Sequence, residues 1–169
     1  MATTYKAIAT VTVGSGGAAN IEFTSIAADW TDLIILCSLR SNSASTADNL
    51  KIELNGSTSN FTARSIYSTS DSSPNSYSFS IGEIAGINAT NTTASVFSNT
   101  TIYICNYASA NNKSISTDSV AENNATRGDL SLYATLWSNS SAITSIKLVA
   151  AGGNFIQYST ATLYGISNS

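Results

Sequence analysis

Apolar and polar residues alternate singly along most of this chain, the rhythm of a strand that buries one face. Over residues 5–13, YKAIATVTV, Tyr5, Ala7, Ala9, Val11 and Val13 share one side, with Lys6, Thr10 and Thr12 on the other. GSGG at 14–17 then turns the chain, and Ile21 and Phe23 alternate with Asn20, Glu22 and Thr24, which predicts a hairpin. The stretch DLIILCSLR, 32–40, is apolar on both faces and predicts a strand covered on both sides, bracketed by Asp32 and Arg40 as charged gatekeepers. Leu50, Ile52 and Leu54 alternate next, and Asn55-Gly56 follows as a tight-turn signal.

Between 57 and 94 the rhythm weakens. NFTARSIYS and SYSFSIGEIAG hold short strand-like pieces, separated by STSDSSPNS, an exposed loop by its composition. From 96 it recovers through VFSNTTIYICNY, KSISTDSVA, DLSLYATLW with Leu130, Leu132, Ala134 and Leu136 on one side, AITSIKLVA and finally FIQYSTATLYGI. No segment carries a persuasive helical period. The expectation is a single domain spanning 1–169, an all-β, jelly-roll-like antiparallel sandwich of eight to ten strands. Leu163, Tyr164, Gly165 and Ile166 make its closing strand. So apolar a tail is stable only when paired and covered, and Gly165 marks a place where a side chain would collide with a neighbour.

Composition changes this picture in one respect. Only 10% of residues are charged, against roughly 25% in ordinary soluble domains, while 30 Ser, 21 Thr and 17 Asn supply the polar surface. The net charge is −3, and Lys6, Arg40, Lys51, Arg64, Lys113, Arg127 and Lys147 are scattered singly, which argues against nucleic acid as a partner. The longest apolar run, Leu33 to Cys37, is far too short to span a bilayer, and the N-terminal pattern is not that of a signal peptide. The chain is therefore expected to be made in the cytoplasm without membrane insertion.

Candidate chemistry is sparse. The chain has no histidine, which removes imidazole bases and the commonest metal ligand, and no metal or other cofactor is expected. Cys37 and Cys105 read as two buried thiols, with a cross-strand disulfide as the alternative. GSGGAA matches a dinucleotide fingerprint in letters, but a strand follows it where a helix is required. Asp118 with Glu122, or Glu122 with Asp129, could be brought together by a hairpin as a glycosidase-like pair, although their spacing does not select them over solvated loop charges. Trp30, Tyr67, Tyr77 and Trp137 are candidate platforms for sugar rings or subunit contacts, the other role of such rings being core packing.

Taken together, TYKAIATVTVGSGGAANIEFTSI, WTDLIILCSLRS, ELNGSTSN and the terminal LYGI resemble virion proteins of tailed bacteriophages, notably those of cyanobacteria and other marine bacteria. The resemblance implies a non-enzymatic structural component of the particle. As a capsid decoration or cement protein it would be a homo-oligomer, a trimer, bridging the major capsid protein or other virion proteins. The alternative is the receptor- or glycan-binding head of a tail fibre or appendage. No catalytic residue carries over.

Overall fold

The computed structural model describes residues 4–70, 73–123 and 128–167. Among them are twelve strands and no helix. The first six are β1 (Tyr5–Thr12), β2 (Asn20–Phe23), β3 (Asp32–Leu39), β4 (Ala47–Leu54), β5 (Phe61–Thr69) and β6 (Asn75–Phe79). The second six are β7 (Glu83–Asn88), β8 (Ser98–Ile104), β9 (Lys113–Glu122), β10 (Gly128–Trp137), β11 (Ile146–Ala150) and β12 (Thr160–Ile166). They form two antiparallel sheets, one of eight strands in the order β1-β12-β3-β8-β9-β10-β5-β6 and one of four in the order β2-β11-β4-β7.

Eight of these strands, β1-β12-β3-β8 facing β2-β11-β4-β7, have the jelly-roll arrangement. The expected strand number falls short because the remaining four, β9-β10-β5-β6, prolong one sheet beyond its partner. Two of them, β5 and β6, lie in the segment where the alternation is weakest. The Ser-rich loop read there spans 68–76; the structure gives 68–69 to β5 and 75–76 to β6, and residues 71 and 72 lie outside the described residues.

Leu33, Ile35 and Leu39 of β3 pack between the layers with Leu50, Ile52 and Leu54 of β4 and Ile21, Ile84 and Leu148. Their alternation is the physical reason the sheets face one another. The Asn55-Gly56 turn forms as read, with φ of 51° and 73°, values at which Gly is unstrained and Asn tolerated. β12 runs between β1 and β3, paired to both. A Cβ on Gly165 would run into the indole of Trp30, which covers that part of the strand.

Other expectations give way to tertiary structure. No hairpin joins the first two strands: β1 pairs β12, β2 pairs β11, and the glycine turn carries the chain from one layer to the other. β1 does not keep one buried face either, because a bulge at Ala7/Ala9 shifts its register on this edge strand and leaves Tyr5 and Ile8 exposed. β3 is covered on its inner side only, since Leu36 on the outer side is exposed. Its bracketing charges are buried, not solvated. Asp32 accepts hydrogen bonds from the Tyr103 hydroxyl at 2.5 Å and the Asn106 amide at 2.7 Å. The Arg40 guanidinium donates to the Thr92 hydroxyl (2.9 Å) and to the carbonyls of Thr93 (2.8 Å), Val96 (2.8 Å) and Thr92 (3.1 Å), tying down the β7–β8 connection. Both cysteines are free, Cys37 buried and Cys105 half-buried, so the disulfide alternative is not realised. Burial pushes the Cys37 thiol up to about 12.

Candidate functional site

The overhang of the large sheet creates the site. Where β10, β5 and β6 extend past β7, the edge of the small sheet, their inner face is only partly covered and a cleft of about 290 Å³ opens between it and the β4–β7 edge. That volume lies near the lower limit of small-ligand pockets, roughly 300–1,000 Å³.

Register sets what lines it. β10 and β5 pair Asp129 with Thr69, Ser131 with Tyr67, and Tyr133 with Ser65. β5 and β6 pair Ser65 with Tyr77 and Ala63 with Phe79. Side chains alternate across a strand, so all of these share the inner face. The small residues Ala63 and Ser65 sit between the large ones, and this lets rings from β10 and β6 meet over β5. The result is a continuous aromatic row. Tyr67 stacks on Tyr77 with centroids 5.4 Å apart, Tyr77 on Phe79 at 6.3 Å, and Phe79 on Tyr133 at 6.1 Å, with interplanar angles of 23–26°. Tyr77 lies half exposed on the edge strand, while Tyr133 is buried at the inner end.

Polar groups converge on the row from both walls. Glu83 begins β7 and accepts a hydrogen bond from the Asn49 side-chain amide at 2.9 Å; Asp129 and Ser131 come from β10. Gly82, just before Glu83, brings its backbone against β4, where its carbonyl accepts from the Ile52 amide at 2.8 Å and a Cβ would strike the Ile52 carbonyl. This close approach sets the edge from which Glu83 projects. Burial raises the Glu83 carboxyl above the usual glutamate range, against the opposing pull of Lys51 and the Asn49 bond. Tyr133 is pushed up to about 12, by burial first and then by Glu83 and Tyr67. Tyr67 is raised chiefly by its side-chain hydrogen bond with Tyr77. The phenols of Tyr67 and Tyr133 are therefore held neutral near pH 7, and the cleft offers ring faces, hydroxyls and carboxyl acceptors.

The raised carboxyl has a consequence for stability. Glu83 binds a proton more readily folded than unfolded, so stability falls as pH rises from the ordinary glutamate value, about 4.3, towards neutrality. In Glu83→Gln that fall is expected to be reduced, and the variant to be more stable than the parent at pH 7, as urea midpoints across this range would show. Parallel pH profiles for the two proteins would contradict it.

The four aromatic candidates part company here. The structure brings Tyr67 and Tyr77 together in the cleft. Trp137 is excluded: it is 1% exposed and stacked on Phe61 at 6.2 Å in the core. Trp30 is half-buried over Gly165, at the other side of the large sheet, with the Lys6 ammonium 6.0 Å from its ring centroid. Neither carboxylate pair forms a facing set: Asp118 and Glu122 share the outer face of β9 but lie four residues, about 13 Å, apart along it, and Glu122 and Asp129 lie on opposite faces; the carboxylate that shares the cleft with Asp129 is Glu83. Phe79, Tyr133 and Glu83 were missed from sequence. The alternation of Tyr77 and Phe79 in SYSFS was the available signal. Among the described residues no group of His, Cys, Asp and Glu gathers to hold a metal, and no helix is long and apolar enough to cross a membrane.

No protein-family model and no curated protein matches the chain. Among solved structures it is similar to an exo-inulinase from Aspergillus awamori at a TM-score of 0.43 and 14% identity, over 96% of this chain and 29% of the enzyme chain.

Proposed function

We propose that the chain is a carbohydrate-binding sandwich module that holds its ligand without turning it over, serving as the recognition head of a phage appendage. The aromatic row in the overhang cleft carries this reading. A sugar ring presents one face of slightly positive C–H groups, which suits the electron-rich faces of Tyr67, Tyr77 and Phe79. It also has a rim of hydroxyls, which suits the carboxylates and amide of Glu83, Asp129 and Asn49. Two carboxylates favour a neutral, hydroxyl-rich ring over an acidic one. The placement on a virion rests on the sequence resemblance.

A glycan array followed by calorimetric titration of the best neutral sugar tests this. Tyr77→Ala and Tyr67→Ala are each expected to weaken binding about tenfold, the effect of removing one stacking ring, with the thermal midpoint little changed because neither ring is core. The reading fails if no glycan binds or if both variants bind like the parent; release of reducing sugar would make the cleft a hydrolase site.

A capsid decoration or cement role is the second reading. It is favoured by the surface of hydroxyls and amides, which many close-packed copies can share without the repulsion that charged surfaces feel within about 8 Å. Copy number per particle separates the two: one or more per capsid subunit for a cement protein, a small fixed number for an appendage.

A further inference from the structure

The extension strands are built inside out. On β10 the inward residues are Ser131, Tyr133, Thr135 and Trp137, while the apolar set Leu130, Leu132, Ala134 and Leu136 faces outward. Beneath the sheet the hydroxyls of Ser65, Thr117 and Thr135 are buried without a protein partner among the described residues. Above it, Ile66 is 60% exposed, Leu130 57%, Leu132 56% and Val120 45%. Register joins these four: Leu132 pairs Ile66 on β5, and Leu130 pairs Val120 on β9. Side chains of this size form a contiguous apolar patch on the order of a few hundred Å², the scale that marks contact surfaces.

Two charges flank it. Arg64 lies on β5 opposite Ala134, and Asp118 lies on β9 opposite Leu132, so one cation and one anion stand on either side of β10 on the outer face. Both are exposed, and neither is in an ion pair among the described residues. With β10 between them they are two strand spacings apart across the sheet and two residues apart along it, about 12 Å in all, at a strand spacing of about 4.8 Å.

We propose that this face binds a second copy of the chain, sheet against sheet, about a twofold axis running along β10. That axis lays the β9 of one copy over the β5 of the other. Leu130, Leu132 and Leu136 meet their own counterparts, and each Arg64 comes within two residues, about 7 Å along the strand, of the other copy's Asp118, a gap that an arginine side chain spans. A self-complementary patch with one charge of each sign is what an isologous contact requires. Aligned sheets stacked about 10 Å apart would supply the layer that this outer face lacks. The surface lies on the opposite side of β5 and β10 from the cleft, so the inference stands independently of the glycan reading.

Sedimentation of the full chain tests it. The parent is expected to be a reversible dimer, and Leu132→Asp a monomer with an unchanged far-UV spectrum, since Leu132 is exposed. Arg64→Asp and Asp118→Arg should each raise the dissociation constant roughly tenfold, because each turns both symmetry-related attractions into repulsions. Combined in one chain, they should restore the parent's value to within about threefold. A chain that is monomeric up to about 100 μM, an oligomer that Leu132→Asp leaves intact, or a double variant no tighter than the singles would each overturn the proposal.

Discussion

A chain cut after Tyr158 is expected to lose its cooperative fold outright, with no melting transition by calorimetry and most of the product insoluble. The lost segment is β12, which lies between β1 and β3 and pairs with both along its whole length. It buries Ala161 and Leu163 completely and Ile166 almost so. Burial of such side chains stabilises by about 1.5–3 kcal/mol for each large one. Each ladder hydrogen bond adds about 1 kcal/mol net, and two ladders vanish together. Against a total stability of about 5–15 kcal/mol, that loss leaves nothing to hold the sandwich. The cut would also bare the edge of β3, whose Leu33–Cys37 run is the most apolar in the chain, and an open apolar edge pairs with other chains. A truncated protein that stays soluble and melts in a single transition would show that β1 can close on β3 without the tail.

How far the architecture could be read before the fold was known depends on whether the signal is local. Asn55-Gly56 names its own turn, and Leu50, Ile52 and Leu54 or Ile21 and Phe23 name their buried faces, because backbone sterics and side-chain alternation act over a few residues. The tail could be read too, since Leu163, Tyr164 and Ile166 leave no soluble alternative to a covered strand. What alternation cannot say is which side of a sheet has a partner. In β10 the leucines point to open solvent and Ser131 and Thr135 point inward, the reverse of the usual pattern, because the extension carries the strand past most of the small sheet. The same overhang makes the cleft. Tyr67 and Tyr77 stood out as exposed aromatics, but their stacking with Phe79 and Tyr133 depends on register across β10, β5 and β6, with Ala63 and Ser65 as the gaps. Glu83 arrives from the other sheet, and no local pattern reports that. Asp32 and Arg40 mislead for a related reason: a charged residue beside an apolar run looks solvated until the loops that satisfy it, at 92–96 and at Asn106, are seen to fold over it.

Trp137→Ala is expected to cost about 3–5 kcal/mol, the range for emptying a large aromatic site in a packed core. For a domain of this size that lowers the midpoint by about 6–20 °C, at roughly 2–4 °C per kcal/mol. The indole stacks on Phe61 and shares its cross-strand row with the buried Lys113, whose ammonium is held by the carbonyls of Ser109, at 2.8 Å, and Asn111. Emptying the site therefore also removes packing from the stem of a buried cation whose ammonium end is hydrogen-bonded. The conservative variant separates shape from polarity. The indole N–H has no hydrogen-bond partner among the described residues, so Trp137→Phe deletes a buried donor that contributes nothing as well as part of the ring. Its cost should stay below about 2.5 kcal/mol, since only part of the ring is removed and the cavity left is correspondingly smaller. Urea titrations of the two variants would measure both numbers. Should Phe prove as costly as Ala, the N–H is being used and the site is more than a packing position. Glycan affinity supplies the cross-check: Trp137→Phe should leave it untouched, where Tyr77→Ala weakens it, since one ring lies in the core and the other at the mouth of the cleft.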